Sequence, residues 1–496
     1  MEVDFSTRVG YGRSMSLFPL VLAFFTSTVK MPALVNLRSS PLVAALITVF
    51  LLSLPSSVMA QHGFLLKIIG EKNLKDLAKS LEDGSYRGEE GILRIKPEVA
   101  KALGMKVMVD QDYLDAKDLY KKAEGAFEKA KSAMASKEAE SFPGEHAKTI
   151  AENALIRKAS IELARKKLLT YRATLNGLLD DRLNEAASTD LMGKLLTQSL
   201  RDTDYQLRDA LGHFYNLCRG ITEGGSSLTS ENVMFVNEVF HHSVYGSPQQ
   251  SPLSLGLDRQ EDLKGKRPSA SWKDAAAARG FPFIQALEET LKKFNIQTDE
   301  VDPLLFVALI KRESGFDPLA VSPSGAAGLT QIVPETAAAL GMKNIFNPPY
   351  LAEAAGVSSL ERKTKKQALA LLFQVNQENM LEVAAQARDL MQNALALGKK
   401  KDALYSQYKS EILHKKIDDR LNPSTAIEYG FKFFLQQMRA HKGDISLALA
   451  SYNAGPYRVK QHKGIPPFSE TVNFRNKVLD IYRDYLRVLQ IPEKSL

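Results

Sequence analysis

The pattern of residues 302–315 predicts a helix with one carboxylate on its apolar face. The helical spacing i, i+3, i+4, i+7 is followed by Phe306, Leu309, Ile310 and Glu313. Asp302 followed by Pro303 is typical of an N-cap and a first helical residue, and Gly315 is typical of a helix terminator. We therefore expect Glu313 in the last turn of the helix, beside buried apolar side chains.

The N-terminal half also has mainly helical patterns. Residues 61–108 are mixed, with a short strand and a short helix predicted within residues 89–104, and longer helices are predicted over 147–183 and 191–218. A coiled-coil-like seam in the first long helix consists of Ala164, Leu168, Tyr171, Leu175 and Leu178. The seam is shorter than three heptads, so it favours a helical hairpin or bundle over a long coiled coil. We expect no internal repeat.

The pattern changes over residues 247–276, which are rich in Pro, Ser and charged residues and lack periodicity. We predict a linker there, between a mostly helical N-terminal region (61–246) and a helical C-terminal domain (277–496). A lysine-rich block at about 357–417 has only a thin apolar stripe, which predicts a solvated helical hairpin that docks weakly. The predicted fold class is all-α, with an N-terminal helical bundle or coiled-coil-like region.

Residues 1–60 have the pattern of a targeting segment. An apolar run over residues 42–54 follows two basic residues and precedes the small-residue sequence VMA at 58–60. The run is short for a membrane span, so we predict a signal peptide that is cleaved after Ala60. The alternative is an uncleaved anchor, and Met31 is a second candidate start. The expected location is the periplasm or the cell envelope.

Composition argues against nucleic-acid binding, an internal disulfide and a metal site. The chain has 496 residues, 44% hydrophobic and 25% charged, with a net charge of +8. Residues 1–60 hold four basic and two acidic residues, so their removal leaves +6, too weak a charge to indicate nucleic-acid binding. The only cysteine, Cys218, excludes an internal disulfide and is expected to be buried. The histidines lack metal-ligand spacing, and we predict neither a metal nor another cofactor.

The predicted setting of Glu313 suits an acid that keeps its proton. The negative end of the helix dipole and the removal of water both disfavour a charged carboxylate and raise its pKa. A carboxylic acid that is protonated near neutral pH can act as a general acid. The alternative is an ordinary amphipathic boundary residue or ion-pair partner, which is the commoner fate of such a glutamate.

Two motifs bear a resemblance to a known family. They are ESGFDPLAVSPSGAAGLTQIVPETA at residues 313–337 and LALASYNAGPYRVKQHKGIPPFSET at residues 447–471. Together they resemble the catalytic domain of the soluble lytic transglycosylases, enzymes that cleave peptidoglycan. The resemblance covers about residues 281–485, less the lysine-rich block, which is an insertion relative to the family. It implies a lysozyme-like α-helical catalytic domain.

The resemblance implies roles for individual residues. Glu313 would be the sole general acid and base, and Tyr452 would place its hydroxyl near that carboxyl. The other residues implied to bind or position the glycan are Ser322, Gly328, Gln331, Val333, Asn453, Ala454 and Glu470. Val333 departs from the family, which often has methionine there. Without the family, Ser322 is equally well a turn hydroxyl, Tyr452 a core tyrosine and Glu470 a favourable charge at a helix start.

The implied reaction cleaves the β-1,4 bond between N-acetylmuramic acid and N-acetylglucosamine and yields a 1,6-anhydromuramyl product. Two alternatives stay open: a hydrolytic muramidase like the goose-type lysozymes, and a non-catalytic exported scaffold that binds peptidoglycan. The predicted ligand is a peptidoglycan glycan strand in each case. The N-terminal helical region is the candidate surface for a protein partner, the insertion is a candidate rim over the cleft, and the oligomeric state stays open.

Overall fold

The computed structural model describes residues 56–136, 143–204, 206–221, 227–245, 271–296 and 300–489. Residues His62–Leu496 form one compact unit. The described residues form α-helices and short 3-10 turns, with isolated β-bridges only, so the predicted all-α class is confirmed. None of the described helices is both long and apolar enough to span a membrane. The apolar run at 42–54 lies outside the described residues, as does the predicted signal peptide up to residue 55.

The described residues of the N-terminal half form seven α-helices. They are α1 (Ser56–Glu82), α2 (Pro97–Ala102), α3 (Gln111–Ala135), α4 (Pro143–Thr174), α5 (Glu185–Asp202), α6 (Leu207–Arg219) and α7 (Val233–Tyr245). The prediction for 147–183 was too long, because α4 ends at Thr174 and Leu178 is exposed. The helix predicted over 191–218 is two helices, broken between Asp202 and Leu207. The buried position expected for Cys218 is confirmed.

In the C-terminal half, the part of the chain that the structure describes contains ten α-helices. They are α8 (Trp272–Ala278), α9 (Ile284–Lys293), α10 (Pro303–Ser314), α11 (Pro334–Leu340), α12 (Pro349–Leu371), α13 (Met380–Lys415), α14 (Pro423–Ala440), α15 (Ile445–Ala454), α16 (Pro456–Gln461) and α17 (Ser469–Leu489). The first of them starts inside the stretch predicted as a linker. Residues 303–310 of α10 are all buried and form the centre of the largest apolar core. This helix therefore fixes whatever its last turn carries.

Two long antiparallel hairpins, α3–α4 and α12–α13, pack against each other. Their shared apolar cluster contains Ala130, Met134, Ala147, Ile150 and Ala154 from the first, and Ala368, Leu372, Ala384, Ala387 and Met391 from the second. At the base of the second hairpin, Tyr408 and Ile412 are fully buried. The expectation of a weakly docked, solvated hairpin is therefore wrong. Its apolar stripe is thin because small alanines let the helices approach closely.

The expectation that the chain lacks an internal repeat is also wrong. The five-residue sequence ALGMK occurs at 102–106 and at 339–343, and DDRLN occurs at 180–184 and at 418–422. In both halves the first sequence closes a short helix that begins at a proline, a long hairpin follows, and the second sequence forms a 3-10 turn. The shared residues lie mainly in turns, while the helices between them have diverged, so helical periodicity does not reveal the repeat.

Candidate active site

Glu313 occupies the last turn of α10, as its spacing predicts. The side chain of Asp302 caps the helix by accepting a hydrogen bond from the amide of Leu304 at 2.9 Å, and the Tyr482 hydroxyl donates to the same carboxylate at 2.8 Å. Gly315 ends the helix in the left-handed region, at φ 64°. Both ends of α10 are thus fixed, and the direction of the Glu313 side chain is fixed with them.

The surroundings of Glu313 favour its protonated form. Removal from water raises its pKa from the usual value near 4.5 to about 8, the nearby Arg312 opposes this shift, and Glu470 adds to it. The side chain keeps partial access to solvent. Glu313 therefore holds its proton at neutral pH while a ligand can still reach it.

Tyr452 lies beside this carboxyl at the edge of the apolar core. Its hydroxyl donates to the carbonyl oxygen of Thr330 at 2.8 Å, and its ring packs against Phe433 at a centroid distance of 5.0 Å. Burial, and then the proximity of Glu313, raise the pKa of the tyrosine well above 10. Tyr452 is therefore neutral over the physiological range, and it ties α15 to the loop that precedes α11.

That loop holds Gln331 in a strained and well-supported conformation. Gln331 has a φ of 48°, and its side-chain amide nitrogen donates to the carbonyls of Ala320 at 3.0 Å and Gly328 at 2.8 Å. Both amide hydrogens are thereby used within the loop. The amide oxygen accepts no hydrogen bond from the described residues, so it can accept one from a sugar hydroxyl.

Arg420 holds the same loop through its backbone carbonyls. The sequence pattern did not predict a role for this residue. Its guanidinium donates to the carbonyls of Gly325 and Ile332, both at 3.0 Å, and to the Tyr408 hydroxyl at 2.6 Å. It also pairs with Asp418 at 2.7 Å, and both side chains are buried. A Cβ on Gly328 would lie 1.7 Å from the Arg420 carbonyl oxygen, so only glycine fits at that position. The repeated sequence DDRLN was the signal that could have indicated this network.

Residues 291–375 and 390–474 match the transglycosylase SLT domain. This part of the chain carries a transglycosylase SLT domain. The SLT domain is a lysozyme-like all-α fold, and the match supports a peptidoglycan-cleaving function of the lytic transglycosylase type. The first matched segment contains Glu313 and Gln331, and the second contains Tyr452.

The remaining predicted residues of the SLT domain lie around this centre. The Ser322 hydroxyl accepts hydrogen bonds from the amides of Ser324 and Ala326, at 3.2 and 3.0 Å, so the structure places it in a turn. Val333 is the N-cap of α11 and is partly exposed. Gly328 and Gln331 lie in the loop between them.

The third side of the site is formed by the ends of α15 and α17. Ala454 is the last residue of α15. The Asn453 amide oxygen accepts a hydrogen bond from the Thr471 hydroxyl at 2.8 Å, which ties the two helices together. Glu470 is exposed in the first turn of α17 and lies close enough to Glu313 to affect its pKa.

Proposed function

We propose that the SLT domain cleaves the β-1,4 bond between N-acetylmuramic acid and N-acetylglucosamine, with Glu313 as the sole acid and base and a 1,6-anhydromuramyl product. The observation that carries this proposal is the raised pKa of Glu313, about 8, at the rim of an apolar core. A general acid must be protonated at the working pH, and this carboxyl meets that condition.

The proposed reaction has two proton transfers. Glu313 donates its proton to the glycosidic oxygen, the bond from that oxygen to the muramyl C1 breaks, and the 2-acetamido carbonyl oxygen stabilises the positive charge at C1. The resulting Glu313 carboxylate then removes the proton from the muramyl 6-hydroxyl. That oxygen bonds to C1 and closes the anhydro ring, so Glu313 regains its proton and no water is consumed.

The arrangement of carboxylates supports one-acid chemistry. Glycosidases that use two carboxylates keep them about 5–5.5 Å apart for retention or about 6.5–9.5 Å apart for inversion. Asp317, Glu335 and Glu470 are all exposed, and Glu470 stands at a helix start where a negative charge is favourable. We assign Glu470 to positioning of the substrate or of Glu313.

The substrate class implies an export step. Peptidoglycan lies outside the cytoplasmic membrane, so we propose that residues 1–60 direct export and that the mature chain begins at Gln61. N-terminal sequencing of the protein from the cell-envelope fraction tests this. Recovery of an intact segment 1–60 would favour an uncleaved anchor.

The decisive experiment is product analysis on purified peptidoglycan by mass spectrometry. The proposal predicts anhydro products, which are one water lighter than the products of a hydrolytic muramidase. Glu313→Gln should lower the rate by at least about a hundredfold while glycan binding persists. Glu335→Gln, an exposed glutamate in the first turn of α11, is the matched control and should stay close to wild type. A Glu313→Gln rate within about tenfold of wild type would exclude the assignment.

A further inference from the structure

The two halves of the chain correspond over most of their length. ALGMK recurs after 237 residues (102 and 339), DDRLN after 238 (180 and 418), and the pair Tyr-Asn after 237 (215 and 452). The sequence SENVMFVNEV at 230–239 corresponds to SETVNFRNKV at 469–478, after 239 residues. A nearly constant spacing over four separate matches indicates a duplicated domain.

The buried arginine network is duplicated contact by contact. Arg182 donates to the Tyr171 hydroxyl at 2.6 Å and pairs with Asp180 at 2.7 Å, the same distances that Arg420 has to Tyr408 and Asp418. Arg182 also donates to the carbonyls of Gly88 and Ile95, at 2.9 and 3.3 Å. These two residues correspond to Gly325 and Ile332, so residues 88–95 form a second copy of the loop that carries Gln331.

The acid is not duplicated. Asp76 lies twelve residues before Gly88, as Glu313 lies twelve before Gly325. The helices correspond as well. A cavity between α10 and α17 is lined by Arg312 and Lys477. A cavity between α1 and α7 is lined by their counterparts, Lys75 and Glu238. Aspartate is one methylene shorter than glutamate, so its carboxyl reaches less far.

In the N-terminal copy, Asp76 stands at the position of Glu313 and is surrounded by charged side chains. Asp76 pairs with Lys72 at 2.5 Å and with Arg94 at 3.5 Å, and Arg94 corresponds to Gln331. The guanidinium of Arg219 lies 5.0 Å from the ring centre of Tyr215, the counterpart of Tyr452, and donates to the Arg94 carbonyl at 2.6 Å. Asp76 is thus engaged as an ion-pair partner, whereas burial favours the protonated form of Glu313 in the C-terminal copy.

The two copies face each other in a self-complementary way. Asn237 donates to the carbonyl of Ile465 at 2.8 Å, and its counterpart Asn476 donates to the carbonyl of Leu228, also at 2.8 Å. Leu228 and Ile465 lie shortly before Ser230 and Ser469, by two and four residues. The hydroxyls of Ser230 and Ser469, a further counterpart pair, contact each other at 3.1 Å. Reciprocal contacts of this kind are typical of a two-fold symmetric dimer, here formed within one chain.

Helix α17 makes several of the contacts across this interface. Arg475 pairs with Asp209 at 2.6 Å in a buried contact, and Arg483 reaches the same carboxylate at 3.2 Å. Ser469 and Asn476, described above, add two more contacts from the same helix. The first turn of α17 carries Glu470, so the N-terminal half anchors the residues on both sides of it.

We propose that residues 63–245 are a second copy of the SLT fold that lacks the catalytic glutamate. This copy serves as an internal partner that holds α17 in place beside the catalytic cleft. This gives the N-terminal half a positioning role in place of a second active site. The duplication stands on the repeated sequences and the matching contacts, whereas the role of α17 in the reaction rests on the proposed function.

The claim of a single active site is tested in the full-length chain. Asp76→Asn should cleave peptidoglycan at a rate within about twofold of wild type, because its carboxylate serves only ion pairs. Glu313→Gln should be inactive even though residues 63–245 are intact. Cleavage by Glu313→Gln that disappears in the Asp76→Asn/Glu313→Gln double variant would overturn the claim and show a second active site.

The positioning role is tested by removing the contact from both sides. Asp209→Asn and Arg483→Gln should lower kcat, the first by about tenfold, with little change in KM, because small displacements of a catalytic constellation are costly. The groups that face Glu313 are Arg312, Glu470 and Tyr452. Since Glu470 raises the pKa of Glu313, a loosened α17 should also move the alkaline limb of the pH–rate profile to lower pH.

Arg487→Gln is the control for these variants, since Arg487 is exposed on the same helix. It should match wild type in kcat and in its pH profile. If Asp209→Asn fails to fold, Arg483→Gln decides, because that side chain is partly exposed and its loss leaves Asp209 paired with Arg475. An Arg483→Gln variant with the kcat and pH profile of Arg487→Gln would overturn the positioning role. Failure of the proposed function would show differently, as wild-type protein that makes no anhydro product.

Discussion

At the scale of single residues, the protonation of Glu313 sets the expected pH dependence. Its pKa of about 8 means that the acid form prevails at neutral pH and is lost as pH rises through that value. We predict that kcat/KM on purified peptidoglycan is nearly constant between about pH 6 and 7 and falls about tenfold per unit well above pH 8. A rate measured in overlapping buffers that is still constant at about pH 9.5 would contradict this assignment.

The sequence predicts Glu313 well because its setting is local. The N-cap Asp302, the apolar spacing of α10 and the terminator Gly315 all lie within one short segment, and each has the predicted role. Arg420 could not be placed in the same way. Its partners, the carbonyls of Gly325 and Ile332, are more than eighty residues away along the chain, and only the folded loop brings them together.

At the scale of structural elements, the two buried arginines offer a matched pair of variants. Arg420→Lys and Arg182→Lys each replace a guanidinium that makes parallel hydrogen bonds with an ammonium that cannot reproduce them. We predict that each variant lowers the free energy of unfolding by about 3 kcal/mol, because a buried carboxylate loses its bidentate partner. Denaturant titration measures the loss.

Activity then distinguishes the two arginine variants. Under conditions in which both remain folded, Arg420→Lys should lose cleavage, because Arg420 holds the loop that carries Gln331. Arg182→Lys should keep most of its activity, because the equivalent loop does not face Glu313. Equal losses of activity at full folding would show that the two loops do not differ in function.

The α12–α13 hairpin yields a prediction that depends on where it is cut. Lys401 pairs with Glu361 at 2.8 Å, so the two helices are adjacent at that level. Replacing residues 364–397 with a short Gly/Ser linker should leave a folded enzyme with lower thermal stability, since the base of the hairpin stays intact and only the packing on α3–α4 is lost. Replacing residues 357–416 removes Tyr408 and its hydrogen bond to Arg420, and should give no folded protein.

Activity and circular dichroism of the two hairpin variants check this prediction. A soluble, active variant without residues 357–416 would show that Tyr408 and Ile412 are dispensable, as the sequence pattern alone suggested. That pattern was misleading for a physical reason. The stripe is made of alanines, which bury little area each but permit close helix packing, so a hydrophobicity pattern underestimates how firmly the hairpin is held.

At the scale of the whole molecule, buried ion pairs across the interface hold the two copies together. Arg208 of the N-terminal copy pairs with Asp444 of the catalytic copy at 2.7 Å, and both side chains are almost fully buried. Separation of the copies would break this pair and the pair of Asp209 with Arg475. The sequence contains the repeats that reveal two copies, but the reciprocal contacts between them appear only in the folded structure.

Two natural probes can test whether the copies unfold together. Trp272 is the only tryptophan and packs on the core of the catalytic copy, and Cys218 is the only cysteine and lies in the core of the N-terminal copy. Burial raises the pKa of the Cys218 thiol to about 12, so the folded protein should react slowly with thiol reagents, whereas an unfolded cysteine has a pKa of about 8.5 and reacts readily. Tryptophan fluorescence and pulsed thiol labelling therefore report separately on the two halves.

We predict that both probes give the same midpoint in a urea titration, because the buried ion pairs across the interface prevent either copy from unfolding alone. Arg487→Gln should keep the two midpoints together, since it does not contact the interface. Asp209→Asn should lower both midpoints and can separate them, because it removes a contact that the copies share. Labelling of Cys218 at a urea concentration that leaves the fluorescence of Trp272 unchanged in the wild-type protein would show two independent domains, and would remove the basis for an internal partner that holds α17.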